Sequence, residues 1–352
     1  MHKLVFLVIA FLSASAALAQ QPTFHNPLLL SGPDPWIIAD QGFYHYTNST
    51  GSNITLWKTR DITDLAHAEE KVVWIAPATG PYSRDIWAPE LHRFDNKWYL
   101  YFAADSGRNE DHRLFVLENP NPDPLTGDWT MKGQLDTIKW AIDATAFEDH
   151  GQKYILWSGW QGDTDGEQRI YIARLKNPWT IDNNAKEASK SGHSESGRVE
   201  LSHPQYPWEQ VGDLPNRPAI PHVNVNEGPE ILQHNDDIFL VYSASACWTD
   251  YYELGVLRAK SGSDLLNPAS WHKYDHPFFQ QDREAQVFGP GHNGFFRTPS
   301  GQDWIIYHAN PQSGEGCGQY RSPRIQPFTW NPDGTPNFGK PLPTTTPIPK
   351  PE

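Results

Sequence analysis

The chain has 352 residues and a formal net charge of −14. This charge disfavours nucleic acid as a partner, because nucleic-acid binding depends on phosphate neutralisation by Lys and Arg, and it also disfavours a strongly anionic polysaccharide. Aromatic residues make up 13% of the chain and include 15 Trp, which fits a β-sheet core and also fits the aromatic surfaces that pack against neutral sugars.

The first nineteen residues have the pattern of a secretory signal peptide. Lys3 supplies a short positive region, and residues 4–12 form an apolar run that is too short to span a bilayer. Alanines at positions 17 and 19 fit a small-x-small cleavage site. We therefore expect residues 1–19 to be removed and the protein to be extracellular, with an uncleaved anchor as the alternative. No later segment is apolar enough to cross a membrane.

Five segments rich in aromatic and aliphatic residues recur along the chain, and each follows a polar residue by 8 to 12 positions. The polar residues, each paired with the first aromatic residue after it, are Asp34 and Phe43, Glu90 and Trp98, Asp143 and Tyr154, Glu227 and Phe239, and His292 and Trp304. The segments begin 55, 56, 85 and 65 residues apart, which leaves room for about four short strands in each unit. We therefore predict an all-β fold, a five-bladed β-propeller whose leading polar side chains converge. A β-sandwich, or two small β domains, is the alternative.

The spacing also predicts the domain organisation. A single propeller is expected over residues 20–340, followed by a Pro/Thr-rich tail, 341–352, that we expect to be disordered. The long third interval, 176–216, is polar and rich in Gly, Ser and Pro, and we expect a loop there near the mouth of the axis. The sequence shows no sustained 3.6-residue periodicity, so helix content should be low.

The chain has two cysteines, Cys247 and Cys317. Each follows an aromatic segment by a few residues, and neighbouring blades could bring them together. Export would permit a disulfide. A bridge and two free thiols both remain open from the sequence.

Three acids stand in unusual local contexts. Asp34 lies between two prolines, which restrict the backbone on both sides, although a turn-capping Asp has the same pattern. Asp143 lies in a small, apolar stretch, where an acid is costly unless it has a structural partner or a function. Glu227 is followed by Gly228 and a proline that fix a bend, and it is preferred over Glu230 because its position corresponds to those of Asp34 and Asp143.

An ordered set of short motifs resembles glycoside hydrolase family 43. The motifs are Asp34-Pro35-Trp36, Arg84-Asp85-Ile86-Trp87-Ala88-Pro89-Glu90, Ile142-Asp143-Ala144, Asn226-Glu227-Gly228-Pro229, Gly289-Pro290-Gly291-His292-Asn293 and the closing segment from Arg321 to Trp330. They cover nearly the whole chain after residue 19. The resemblance implies a five-bladed β-propeller that cleaves pentose linkages with inversion, in a family of arabinofuranosidases, arabinanases and β-xylosidases.

The resemblance also implies three catalytic roles. Asp34 matches the general base that activates water, Glu227 matches the general acid, and Asp143 matches a third acid that orients Glu227 and raises its pKa. Inversion needs water on one face of the sugar and a proton donor on the other, with the two carboxyl groups about 6.5–9.5 Å apart. A neighbouring carboxylate disfavours ionisation of the acid and keeps it protonated.

Other matched residues are candidates for binding. Trp87 and Trp36 are candidate aromatic contacts for the sugar, with core packing as the alternative. Arg321 matches an arginine that contacts sugar hydroxyls or the catalytic acids; Arg324 lies close by and could do the same. His292 matches an axial histidine where many family members hold a metal ion, often calcium, so one structural Ca²⁺ is expected; a neutral channel histidine is the alternative, because calcium prefers oxygen ligands. Glu90 is expected to be a structural residue of the axis.

The sequence therefore predicts a secreted, inverting α-L-arabinofuranosidase. The expected partners are plant cell-wall arabinan or arabinoxylan oligosaccharides, with no nucleic acid and no membrane, and the expected state is a monomer. A β-xylosidase of the same family and a non-catalytic glycan-binding propeller are the alternatives. A retaining fructan hydrolase would share the architecture, but the sequence lacks the Asn-Asp-Pro-Asn type of nucleophile segment.

Overall fold

Five antiparallel sheets follow one another along the chain. In the computed structural model, residues 21–163, 166–183, 197–213 and 222–352 are described. Blade 1 contains β2 (Trp36–Asp40), β3 (Phe43–Thr47), β4 (Asn53–Thr59) and β5 (Glu69–Ile75). Blade 2 contains β6 (Arg84–Phe94), β7 (Lys97–Asp105), β8 (Arg113–Asn119) and β9 (Thr130–Gln134). Blade 3 contains β10 (Ala141–Asp149), β11 (Gln152–Trp160), β12 (Gln168–Asn177) and β13 (Thr180–Ile181), and β14 (Val199–Ser202) also pairs with β12.

The last two blades complete the series. Blade 4 contains β15 (Asn226–His234), β16 (Asp237–Ala244), β17 (Glu253–Lys260) and β18 (His272–Lys273). Blade 5 contains β19 (Phe288–Arg297), β20 (Asp303–Asn310) and β21 (Ser322–Pro327). Outside the blades, β1 (Thr23–Phe24) pairs with β24 (Ile348–Pro349), and β22 (Thr329–Trp330) pairs with β23 (Pro336–Asn337). Short 3₁₀ turns at Ile62–His67, Asn109–Asp111, Pro207–Glu209 and Pro268–Ser270 are the helical segments of the described chain.

The first strand of each blade lies next to the axis. Strand β2 contacts β6, β6 contacts β10, β10 contacts β15, β15 contacts β19, and β19 contacts β2 again. This closed ring of five strands confirms the predicted five-bladed propeller. Alternation along the strands sends side chains to both faces of each sheet, so the apolar residues fill the spaces between neighbouring blades.

Five buried clusters occupy those spaces, one between each pair of neighbouring blades. The aromatic segments that revealed the repeat supply much of this core. Trp98, Trp157 and Trp304 are almost fully buried in the second strands of blades 2, 3 and 5. Burial of side chains of this size contributes about 25 cal/mol per Å² of apolar surface, so the repeated pattern reflects blade-to-blade packing.

The two ends of the described chain meet at blade 5. The backbone N–H of Leu28 donates to the Pro323 carbonyl, and the N–H of Gly32 donates to the Arg321 carbonyl. The Asn26 side chain bonds both backbone groups of Ile325. The segment before β2 therefore runs beside β21, which is the last strand of blade 5, and ties the first and last blades together.

The expectation of a disordered tail at 341–352 is wrong. Ile348 is 2% exposed and pairs with Phe24. The N–H of Lys350 donates to the Pro22 carbonyl, and its ammonium group bonds Asp61 at 2.6 Å. Proline-rich sequence is compatible with short edge strands, and here the segment is held by pairing with β1 and by an ion pair.

Cys247 and Cys317 form a disulfide with their Cα atoms 5.3 Å apart. Of the two alternatives that the sequence left open, the structure has the bridge, and it joins the segment after β16, the second strand of blade 4, to the loop before β21. The expected signal peptide, 1–19, lies outside the described residues, as do positions 184–196 and 214–216 of the expected axis-mouth loop. No helix within the described ranges is long and apolar enough to cross a membrane.

Candidate active site

The innermost strands share a distorted backbone near their beginnings. Every blade has at least one left-handed residue at this level, and these include Asp34 (φ 55°), Ala88 (φ 41°), Asp143 (φ 56°), Gly228 (φ 53°) and His292 (φ 47°). In blades 2 to 5 the pairing register also shifts there. A bulge bends the strand and re-aims its side chains. Left-handed backbone is costly for residues other than glycine and is concentrated at functional sites.

These distorted segments surround a cavity of about 700 Å³ at the axis. Six of the seven residues predicted to form the site line it: Asp34, Asp143, Glu227, His292, Arg321 and Trp87. They come from all five blades or their connecting loops. The structure therefore brings together carboxyl groups that are far apart in the sequence, since Asp34 and Glu227 are separated by more than 190 residues.

Asp34 is held as a carboxylate by its neighbours. Arg321 donates to Oδ1 at 2.8 Å and Ser49 donates to Oδ2 at 2.6 Å. Burial alone would raise the pKa of Asp34, but Arg321, with smaller contributions from His292, His308 and the Ser49 bond, holds this pKa below its usual range. Burial lowers the pKa of both histidines and favours their neutral forms, so Arg321 is the lasting positive charge beside Asp34.

Asp143 and Glu227 form a coupled pair across the boundary between blades 3 and 4. The N–H of Gly228 donates to Asp143 Oδ2 at 3.0 Å, and Gly228 directly follows Glu227 in the chain. Asp143 is 4% exposed and Glu227 is 8% exposed. Burial, then the charges of Glu227 and Asp34, raises the pKa of Asp143 well above its usual value. Because the charge of Glu227 raises the pKa of Asp143, the two carboxyl groups titrate as a pair, and the pair keeps a proton that an isolated surface acid would lose.

Glu227 is the member of the pair with a pKa near neutrality. Burial, with an added contribution from Asp34, raises the pKa of Glu227 to about 7, against the opposing effects of Tyr252 and Arg321. The Tyr252 hydroxyl lies near the carboxyl group, although it has no hydrogen-bond partner within 3.5 Å among the described residues. The cavity therefore contains one carboxylate, Asp34, that stays ionised, and a pair of carboxyl groups, Asp143 and Glu227, whose raised pKa values favour their protonated forms in mildly acidic solution.

His292 lies between Asp34 and the segment that carries Glu227. Its Nδ1 is 3.4 Å from Asp34 Oδ1, and its backbone N–H donates to the Ser243 hydroxyl at 2.7 Å. A Cβ added to Gly228 would stand 3.2 Å from the His292 ring, so both the positive φ and the close approach of this ring favour glycine there.

The residues around His292 do not form a direct calcium site. Within the described ranges, no three His, Cys, Asp or Glu side chains are grouped to hold a metal ion, and a neutral imidazole is a poor ligand for calcium. The expected structural Ca²⁺ would depend on water ligands, and it stays a prediction. We assign no chemical step to it.

Trp36 is not part of the cavity, so its predicted role in substrate binding is wrong. It is 8% exposed, and its indole N–H donates to the Leu91 carbonyl at 2.9 Å. Its ring packs 4.7 Å from that of His92, in the core between blades 1 and 2. Asp34 precedes β2 and has a left-handed backbone, so the regular alternation of a strand does not extend from Asp34 to Trp36, and Trp36 faces the blade interface while Asp34 faces the axis.

Two further polar residues, Glu90 and Arg324, are buried and do not line the cavity. Glu90 is buried and contacts His92 at 2.8 Å, and burial, followed by the charge of Glu230, raises its pKa. Arg324 does not accompany Arg321 into the cavity: its side chain is fully buried on β21, paired with Tyr307 in the neighbouring strand. These observations agree with Glu90 as an axial residue and exclude Arg324 from the cavity wall.

Several residues of the site were not predicted from the sequence. Ser49 bridges blades, since it donates to Asp34 and accepts from the Ala88 N–H at 2.6 Å. The N–H of Asp34 donates to Nδ1 of His308 at 3.1 Å. Three more tryptophans line the cavity: Trp140, Trp160 and Trp248. Trp140 lies three residues before Asp143, and this proximity in sequence is the signal that could have identified it.

The arrangement can perform acid–base chemistry on a neutral ligand. Asp34 can accept a proton, Glu227 can donate one, and the walls between them offer indole rings for the C–H faces of a sugar. Trp87 stacks on His112 with ring centroids 4.1 Å apart, which fixes its orientation at the cavity wall.

Comparisons with known proteins agree with this chemistry. Residues 24–336 match Glycosyl hydrolases family 43. The chain is 38% identical over 340 residues to an extracellular exo-alpha-(1->5)-L-arabinofuranosidase of Streptomyces avermitilis, covering 94% of this chain and 66% of that protein. It is 36% identical over 350 residues to alpha-L-arabinofuranosidase 43 of Humicola insolens, covering 96% and 67%. The chain thus spans about two thirds of the length of both relatives.

A solved structure of an arabinofuranosidase is also similar to this chain. The crystal structure of an alpha-L-arabinofuranosidase from Lactobacillus brevis superposes with a TM-score of 0.81 at 36% identity, covering 92% of this chain and 98% of that one. The family match extends over nearly all of the propeller and over every residue that brings a carboxyl group to the cavity. The chain therefore belongs to glycosyl hydrolases family 43 and is a glycoside hydrolase.

Proposed function

We propose that this protein is a secreted α-L-arabinofuranosidase that releases L-arabinose from the ends of 1,5-linked arabinan with inversion of configuration. The observation that carries the proposal is the set of three carboxyl groups around one cavity, of which Asp34 is held ionised and the Asp143–Glu227 pair retains a proton. The arabinofuranosidase names of the Streptomyces and Humicola relatives support the choice of sugar.

In this mechanism Asp34 acts as the general base. Its carboxylate receives a proton from water as the water oxygen attacks the anomeric carbon. Arg321 and Ser49 fix both carboxylate oxygens and keep them ionised, so the carboxylate is oriented before the substrate binds. A positioned base of this kind contributes roughly 10²–10⁴-fold to the rate.

Glu227 acts as the general acid. It donates its proton to the glycosidic oxygen as the bond to the anomeric carbon breaks, and the leaving sugar departs with a free hydroxyl. Asp143 positions the strand that carries Glu227 by accepting the Gly228 N–H. In the reactive state of the pair the proton is on Glu227 and Asp143 is ionised, and a charge on either carboxyl group disfavours ionisation of the other. After one turnover Asp34 holds a proton and Glu227 has lost one, so proton exchange with solvent restores the enzyme.

Secretion and a monomeric state belong to the same proposal. Residues 1–19 have the pattern of a signal peptide, and the Streptomyces avermitilis relative is named extracellular. The substrate class would be neutral, as the net charge of −14 favours.

The test is to identify the sugars released from linear 1,5-arabinan, arabinoxylan and xylo-oligosaccharides. The parent protein should release arabinose from the ends of arabinan. Glu227→Gln, which keeps the shape of the side chain, should be at least about 10²-fold slower. Glu230→Gln is the matched control, because Glu230 is also a buried acid on β15 but does not line the cavity, and it should retain activity.

Each alternative gives a different outcome. Xylose without arabinose would identify a β-xylosidase. Sugar binding without any released monosaccharide would identify a binding propeller. Anomeric NMR of the first product tests the stereochemistry, and retained configuration would contradict the assignment of Asp34 as a base.

A further inference from the structure

Four tryptophans line the cavity. Two of them, Trp140 and Trp160, are 4% and 2% exposed and stack on each other with ring centroids 4.5 Å apart. The other two, Trp87 and Trp248, are partly exposed. Trp87 belongs to blade 2, which lies between the blades that carry Asp34 and Asp143. Trp248 follows the second strand of blade 4, the blade that carries Glu227, and the proposed mechanism leaves it without a role.

Trp248 packs against the segment that precedes Glu227 in the chain. Its side chain contacts a small cluster of buried apolar residues formed by Val223, Val225 and Ala246. Val225 lies two positions before Glu227 on the same segment. The indole is therefore on the side of the cavity where the proton donor stands, and an inverting enzyme places the leaving group on that side, opposite the base.

The position of the Trp248 ring is fixed in advance. Its Nε1–H donates to the Gly212 carbonyl at 2.6 Å. The preceding residue is Cys247, which is bridged to Cys317. Gly316 in the opposite loop approaches so closely that an added Cβ would stand 3.4 Å from the Trp248 Cα. A ring held at its backbone and at its polar end loses little conformational entropy when a ligand packs on it.

The chemistry of this wall suits the sugar that leaves. Val223, which packs against Trp248, and Cys247, which precedes it, also line the cavity, so these neighbours add uncharged surface beside the ring. A furanose presents C–H groups that pack on such a surface, while its hydroxyl groups stay directed toward solvent.

From these observations we propose that Trp248 forms the leaving-group subsite, which binds the arabinose unit on the reducing side of the scissile bond. This inference rests on the proposed function of the same cavity. It assigns recognition of the leaving part of the oligosaccharide to blade 4 and the Cys247–Cys317 disulfide. Recognition of the terminal sugar is assigned to the residues around Asp34.

The test compares two substrates that share the terminal sugar and differ in the leaving group. In 1,5-α-L-arabinobiose the leaving group is a furanose, whereas in α-L-arabinofuranosyl azide it is too small to reach Trp248. Trp248→Ala should lower kcat/KM for arabinobiose at least about tenfold and change kcat/KM for the azide less than about twofold. Inhibition by free arabinose should be unchanged, and Trp248→Phe should restore most of the loss.

Trp208→Ala is the matched control. Trp208 is also partly buried, also donates its indole N–H to a backbone carbonyl, at 2.9 Å, and also belongs to the blade 4 region, but it does not line the cavity. Its arabinobiose-to-azide ratio of kcat/KM should equal that of the parent. Equal losses on both substrates in Trp248→Ala, or no loss on either, would overturn the subsite. A parent protein that hydrolyses neither substrate would instead contradict the proposed function.

Discussion

The shared proton of Asp143 and Glu227 should determine the alkaline limit of activity. Glu227 must be protonated to act as an acid, and burial raises its pKa to about 7. We therefore expect kcat/KM to fall as the pH rises through about 7. Asp34 must be ionised, and its pKa lies below the usual range, so no loss is expected in mildly acidic solution.

Asp143→Asn should move this alkaline limit. In the proposed reactive state Asp143 carries the negative charge of the pair while Glu227 holds the proton. Removing that charge makes loss of the proton easier, so the alkaline limb should shift to lower pH, by about one unit for each 1.4 kcal/mol of lost interaction. Asp149→Asn is the control, because Asp149 is buried on the same strand but bonds Ser261 away from the cavity. pH profiles of kcat/KM measure both; an unshifted limb in Asp143→Asn would show that Asp143 does not act through Glu227.

Arg321 should determine the acidic limit. Its guanidinium is the lasting positive charge on Asp34, and Arg321→Gln removes it. The pKa of Asp34 should then rise, since burial is no longer offset, and the acidic limb of kcat/KM should move to higher pH. An arginine that only bound sugar hydroxyls would raise KM without moving the limb. Arg283→Gln, at an exposed position, should reproduce the parent profile.

The sequence predicted the three acids because each has unusual neighbours along the chain. Asp34 lies between prolines, Asp143 lies among small apolar residues, and Glu227 precedes Gly228. The sequence did not predict where the tryptophans face. Trp36 lies two residues from Asp34 yet packs in the core, because the left-handed turn at Asp34 rotates successive side chains. Such backbone geometry has no simple signature in residue types.

At the scale of elements, the disulfide should stabilise the two loops that close one side of the cavity. Its cysteines are 70 residues apart in sequence, and closing a loop of that size in the unfolded chain is worth roughly 4 kcal/mol in the entropic model. Cys247→Ser combined with Cys317→Ser should therefore lower the free energy of unfolding by about 2–4 kcal/mol.

The measurement is unfolding with and without a reductant. The parent protein in reductant should approach the double variant, and the double variant should not respond to reductant. Asp250 also joins the two loops, because it accepts the Gly314 N–H at 2.8 Å, so the loops should stay close and some activity should remain. Equal stability of the two proteins would show that these contacts suffice without the bridge.

Elements at the ends of the chain were the hardest to predict. The segment 341–352 is rich in Pro and Thr, a composition typical of disordered ends, but its β24 pairs with β1 near the other end of the described chain. That pairing joins residues more than 320 positions apart, and local composition carries no information about it. The aromatic strands were predictable because each one carries its own pattern of burial.

At the scale of the whole molecule, the repeat in the sequence reflects the ring of five inner strands. Spacing of the aromatic segments predicted the blade count because every blade must fill the same gap against its neighbour. The third interval is longer than the others, and part of its extra length forms β14, which extends blade 3 to five strands. The sequence predicted an insertion there but did not predict an added strand.

The ring also concentrates acids that have no role in the proposed reaction. Glu90 and Glu230 are buried at the axis, and Thr145 donates to Glu230 at 3.3 Å. Burial raises the pKa of Glu230 well above its usual value, against opposing hydrogen bonds from Ile231 and Thr145. Burial, and then the charge of Glu230, raises the pKa of Glu90. At these two side chains the folded protein therefore binds more protons than the unfolded chain once the pH exceeds the usual pKa of a glutamate.

This difference gives a prediction for the stability of the whole propeller. A raised pKa in the folded state means that stability is fully present below about pH 4, the unfolded value, and is lost as the pH rises toward the folded value. Glu230→Gln keeps an acceptor for Thr145 and cannot ionise. Its melting temperature should therefore match that of the parent near pH 4 and exceed it at pH 8, by about 2 °C for each kcal/mol. The exposed control Glu284→Gln should show no such trend, and a difference that stays constant with pH would exclude ionisation of Glu230 as its cause.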